Sequence, residues 1–189
     1  MPVSENDTMR VYIPATIPLL RQLVDEQQLL PLGATAFAVT PALREAYAAG
    51  DDDELAEVAM QEAARASMRL IGAERDGLDD LDDDAEGATT APGGPVYRRA
   101  VIAADVAGAK LRPDLDDAVV KLSGPITFEQ VAAVHVDLAE AEPQVAKAVD
   151  VIDAADLGDT DAEFVLGDAE DHQLAWYAPQ ELPFLLELL

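Results

Sequence analysis

The chain contains no cysteine, which removes disulfides, thiolate zinc sites, iron–sulfur clusters and cysteine nucleophiles at once. Aromatic residues make up only 5% of it, with one tryptophan and two histidines, so any imidazole chemistry rests on His135 and His172. Basic residues are few: 12 against 38 acids, for a formal net charge of −26. Nucleic-acid binding needs clustered cations to displace counterions from phosphate. Here only Arg65/Arg69, Arg98/Arg99 and Lys110/Arg112 lie close in sequence, so neither nucleic acid nor an anionic membrane is an expected partner. No apolar run approaches the roughly 20 residues that span a bilayer. The opening MPVSENDT has neither the basic nor the apolar region of a signal peptide, and a cytoplasmic location is expected.

What is present reads as a globular domain. Half of the 189 residues are hydrophobic, enough for a sizeable core. Residues 1–8 read as a loose leader, with Met9 a candidate start of translation. From there a short grammar recurs: β-branched or aromatic strand, turn, proline-opened helix. It appears as VYIP-AT-IPLLRQL from Val11, AFAV-T-PALREAY from Ala36, VHVD-LAEAEPQVAKAV from Val134 and LAWYA-PQELPFLLEL from Leu174. Proline suits the first helical turn because its missing N–H has no intrahelical partner, and Thr16 and Thr40 are placed as N-caps.

Strands are expected at Arg10–Pro14, Thr35–Val39, Arg98–Val106, Ala118–Leu122, Val134–Asp137, Phe164–Leu166 and Gln173–Ala178. Helices are expected from Thr16 to about Gln28, over Ala42–Ala49 with Gly50 as its C′ residue, from Asp51 to about Gly72, and over Glu142–Val151. Thr127 and Gln130 form a capping-box pattern. Asp153–Asp161 reads as an acidic turn, and 74–95 as a mobile acidic surface loop. The predicted fold is a single α/β (or α+β) domain over 9–189, a mixed sheet of five to six short strands covered by helices.

The segments MRVYIPAT (Met9–Thr16), TAFAVTPALREAY (Thr35–Tyr47), AVIAADV (Ala100–Val106), VHVD (Val134–Asp137) and EDHQLAWYAPQEL (Glu170–Leu182) resemble a family of uncharacterised actinobacterial proteins, a domain of unknown function. The resemblance implies an intracellular actinobacterial protein and supplies no catalytic residues to carry over.

The sharpest chemical constellation is His135 and Asp137, two apart on one strand and so on one face, together with His172 beside Glu170 and Asp171. Were the strands neighbours, the three would make a two-histidine, one-carboxylate metal site or a histidine base with its orienting acid. In so acidic a chain, however, carboxylates flank almost any histidine. Asp82, Asp84, Glu86 and Gly87 match the start of an EF-hand loop, but Gly93 stands where the bidentate glutamate belongs. That leaves loose divalent-cation binding at most. No P-loop or G-x-G-x-x-G opens a helix, no G-x-S-x-G surrounds Ser123, and no cofactor is expected. Ser67 reads as a solvated or packing position, and Trp176–Tyr177 as core. The leading expectation is therefore a non-enzymatic protein acting through protein–protein contact, as a homodimer or with another partner, through the apolar segment Leu182–Leu189. The alternative is a metal-assisted hydrolase or oxygenase using His135, Asp137 and His172.

Overall fold

The computed structural model describes residues 7–83 and 95–189, without the side chains of 78–83. The chain runs β1 (Thr8–Ala15), α1 (Ile17–Glu26), β2 (Gln28–Leu29), β3 (Thr35–Phe37), α2 (Pro41–Ala46), α3 (Asp52–Asp83), β4 (Ala100–Ala107), β5 (Lys110–Leu111), β6 (Val119–Lys121), β7 (Ile126–Thr127), β8 (Val131–Val136), α4 (Glu142–Asp156), α5 (Thr160–Glu170), β9 (Ala175–Tyr177) and α6 (Leu182–Glu187).

The expected α/β architecture holds. Its sheet has seven strands rather than five or six, in the order β5-β6-β3-β1-β4-β8-β9. Every described ladder in it is antiparallel where a mixed sheet was expected. A proline-opened helix does not have to be a right-handed crossover between parallel strands; here the helices return the chain to antiparallel neighbours. The small extra ladder pairs β2 with β7.

The central strands are buried on both faces. In β1, Val11, Ile13 and Ala15 face a core shared with Leu20 and Leu23 of α1 and with Leu182, Leu185 and Leu186 of α6. In β4, Ala100, Ile102, Ala104 and Val106 join that same face, while Val101 turns to the opposite core beside Ala59 and Ala63 of α3. Two-residue alternation thus splits one strand between two cores. The alanines of α3 let its backbone lie close to the sheet.

Caps set the helix starts as read. Thr16 and Thr40 accept from Leu19 N–H and Leu43 N–H. Asp51 and Glu54 cap one another's backbone at the start of α3, each side chain accepting from the other's N–H. Thr127 N–H donates to Gln130 Oε1 at 2.9 Å.

Four expectations change. First, α3 does not stop near Gly72 but continues to Asp83. Beyond Gly72 it is held by the Thr16 hydroxyl, which donates to Glu74 Oε1, and by Arg75, which pairs with Asp150 of α4, so tertiary contacts override the acid-rich composition there. Residues 84–94 of the expected acidic loop lie outside the described residues, as do 1–6 of the leader and the Asp84, Glu86, Gly87 and Gly93 positions of the EF-hand comparison. Second, Asp153–Asp161 is no simple turn, and Phe164–Leu166 is not a strand. Gly158, at φ 93°, turns α4 directly into α5, and the Asp159 carboxylate accepts from Ala162 N–H at 2.9 Å. Third, α2 ends at Ala46, short of Gly50. Fourth, Trp176 is not core: it is 60% exposed.

Candidate functional site

Arg99 immediately precedes β4, and Asp137 immediately follows its neighbour β8. Both point to the α3 side of the sheet by alternation from Val101 and His135. Their positions in otherwise apolar strands force them inward. Arg99 is 3% exposed and Asp137 fully buried. A buried charge is tolerated when paired and hydrogen-bonded, and this pair is bidentate. Arg99 Nε donates to Asp137 Oδ2 and Arg99 Nη2 to Oδ1, both at 2.8 Å. The Arg99 backbone N–H adds a third donor to Oδ2 at 2.9 Å, and Asp137 N–H returns to Arg99 C=O at 3.0 Å.

The same guanidinium holds the connector between α5 and β9. Arg99 Nη2 donates to the backbone carbonyl of His172 at 2.7 Å. This connector forms one wall of a cleft of about 400 Å³, the other wall being Glu57, Met60, Gln61 and Ala64 of α3, with Arg99 between them. On its far side His172 borders a second cleft, with Gln144 and Lys147 of α4.

Of the three residues singled out from the sequence, the structure therefore brings Asp137 and His172 to one group, Arg99. His172 takes part through its backbone. Both Asp137 oxygens are taken by Arg99, which leaves that carboxylate poorly placed to ligate a metal or to orient an imidazole. His135 sits in β8, aligned with Val101 of β4 and Trp176 of β9. Burial lowers its pKa, keeping the imidazole neutral near pH 7. Among the described residues, no group of three or more His, Asp or Glu is arranged to hold a metal ion.

Ser67, read as solvated or packing, is buried, and its hydroxyl has a definite task. It donates to Ala15 C=O at 2.6 Å and accepts from Ala100 N–H at 3.1 Å, tying α3 to the aligned ends of β1 and β4. Arg99 was visible only as half of a basic pair beside a strand. The usable signal was an arginine and an aspartate each terminating an apolar strand, since an inward charge there demands a partner.

Two further surfaces lie outside the cleft. Among the described residues, strand β9 is the last of the sheet and pairs with β8 alone. The flanking stretch Gln173–Ala178 carries no charge. The segment Leu182–Leu189, expected to be an apolar contact surface, is mostly spent on the core: Leu182, Leu185 and Leu186 are buried, while Phe184 and Leu188 remain exposed. No described helix is long and apolar enough to cross a membrane.

A family model described as a family of unknown function (DUF6912) matches residues 9–186. No curated protein and no solved structure matches the chain.

Proposed function

Because the chain belongs to this family of unknown function, we propose its role from its surfaces alone: it acts by contact with a partner protein, which adds an extended segment to the free edge of β9. The observation that carries this is Trp176, the single tryptophan, exposed on an uncharged edge strand. An open edge offers unpaired N–H and C=O groups to another chain, and tryptophan is enriched where binding energy concentrates. The opposite edge makes the contrast. β5 carries Lys110, a charge that discourages pairing.

A second copy is the less favoured occupant. Antiparallel pairing of two β9 strands would set Glu170 and Asp171 of one copy toward Glu181 of the other, between molecules of charge −26. A segment with basic residues fits the same flanks. The five matching stretches support an actinobacterial origin, and the cysteine-free composition supports a cytoplasmic location. The family match across 9–186 supports a single domain.

The test compares affinity purification with the native chain, Trp176→Lys and a control at another exposed apolar site, Phe164→Lys. A partner retained by the control and lost by Trp176→Lys is expected, and a peptide from that partner should shift Trp176 emission. Equal capture by all three would overturn the proposal. A dimer in sedimentation that Trp176→Lys dissolves would put a second copy on the edge instead.

A further inference from the structure

We propose that the cleft between α3 and the α5–β9 connector is a binding site for a small organic cation that also carries an uncharged hydrogen-bond acceptor, as an amino amide does. The floor supplies the first requirement. Arg99 is held by Asp137 and His172 through Nε and Nη2, and its Nη1 has no hydrogen-bond partner among the described residues. Unlike Arg65 Nε and Gln144 Oε1, which are sealed without a partner among the described residues, Nη1 is not sealed. Arg99 is nevertheless almost wholly buried and lines the cleft. The two Nη1 donors therefore open into it.

Charge supplies the second requirement. Asp137 neutralises Arg99, so the floor offers donors without net positive charge. The rim adds the carboxylates of Glu57, Glu170 and Asp171, and Arg99 is the one Lys or Arg lining the cleft. An anion reaching Nη1 would meet three uncompensated carboxylates. A carbonyl or hydroxyl would not, and an ammonium elsewhere on the same ligand would meet them favourably. Met60, Ala64 and Leu174 offer apolar contact for the carbon frame between these ends. The volume, about 400 Å³, suits a ligand at the small end of ordinary sites. Because Arg99 is fixed by its other bonds, the donor is already oriented before binding. This site adjoins the edge of β9, sharing Gln173 and Leu174 with its flanking stretch, but its occupancy does not depend on a protein partner.

Lysinamide, lysine and cadaverine share a carbon chain and differ in what they present to Arg99: an amide, a carboxylate, or nothing. Titrated into the full chain and followed by backbone amide NMR at Gln61 and His172–Leu174, lysinamide should give saturable shifts. Cadaverine should bind about two- to tenfold more weakly, the equivalent of one hydrogen bond, and lysine should also bind more weakly than lysinamide. The double variant Glu170→Gln/Asp171→Asn, on the exposed rim, should lose lysinamide binding while keeping the native spectrum elsewhere. Three results would overturn the proposal: no saturable shift with lysinamide, equal binding of cadaverine, or tightest binding of lysine. If the rim variant does not keep the native spectrum, the three-ligand ranking on the native chain decides alone.

Discussion

Replacing Asp137 by alanine isolates what holds the centre of the cleft. The substitution removes both oxygens that receive Arg99 Nε, Nη2 and backbone N–H at 2.8–2.9 Å. It leaves a guanidinium that is 3% exposed with the His172 carbonyl as its remaining partner. Breaking a buried ion pair from one side costs about 3–5 kcal/mol, chiefly because the surviving charge is uncompensated. The cleft beside Arg99 gives its head group a route toward water, so the lower end, about 3 kcal/mol, is expected. Against a typical total of about 5–15 kcal/mol, that is a large loss which still leaves a folded protein to measure. Urea unfolding followed by far-UV circular dichroism reads it directly, with an unchanged slope confirming that the same surface is exposed. The double variant Arg99→Met/Asp137→Leu should recover most of the loss, since apolar replacement of both partners is often near neutral. A loss below about 1 kcal/mol in the single variant, or a double variant less stable than the single, would refute the assignment of the pair as a coupled unit.

Ser67→Ala should cost about 2–3 kcal/mol in the same assay, because Ala15 C=O and Ala100 N–H are both buried and lose their shared partner. Burial raises the pKa of Glu74, with the hydrogen bond from Thr16 opposing it. The folded state then holds this proton more tightly than the unfolded state, so Glu74 weakens the fold as pH rises above the ordinary value of 4.5. Glu74→Gln should flatten that part of the stability–pH curve, and an unchanged curve would refute the assignment. His135 is opposite in sign. Its lowered pKa means that the unfolded state binds the proton more readily, so stability falls on acidification from 6.5 downward. NMR titration should place its midpoint below 6.5. Finally, the native chain should sediment as a monomer at about 0.15 M salt. It should self-associate only near 1 M, where screening shortens to about 3 Å, and Trp176→Lys should abolish that association.

The pieces of this fold that were legible in the sequence are those where local chemistry and tertiary packing agree. Thr16 with Pro18 and Thr40 with Pro41 announce helices that form where the caps place them. The apolar alternation of Val11, Ile13 and Ala15 announces a strand. Misreadings fall where packing overrides composition. Asp153, Asp156, Asp159 and Asp161 look like a solvated turn, yet Ala155 among them and Ala162 and Leu166 just beyond are buried. The acids lie on the outward sides of two helices, where Asp156 receives Arg69 through two bonds of 2.7 Å. Trp176 was misread for a different reason. A lone tryptophan in a short apolar strand is ordinarily core, and only the strand order, with β9 outermost, reveals that it is not. Pairing order is a long-range property that no local window contains.

The same long-range view gives the scarce cations a purpose. Arg10, Arg44, Arg65, Arg69, Arg75, Arg98, Arg99 and Arg112 each pair with a carboxylate of this chain. Arg65, Arg69 and Arg75, all on α3, reach Glu163, Asp156 and Asp150 on α5 and α4. Such exposed or half-exposed pairs contribute only about 0–1 kcal/mol each, so their main effect is placement: they fix how the α4–α5 hairpin lies on α3, and that position sets the connector bearing His172. What remains at the surface is a large excess of unpaired acid. Self-repulsion of that kind opposes association of like copies, and so offsets the lack on β9 of the lysine that β5 carries. On the proposed function, charge held over the whole surface, rather than charge on the strand, is what protects β9 from its own kind while leaving it open to a partner of opposite sign.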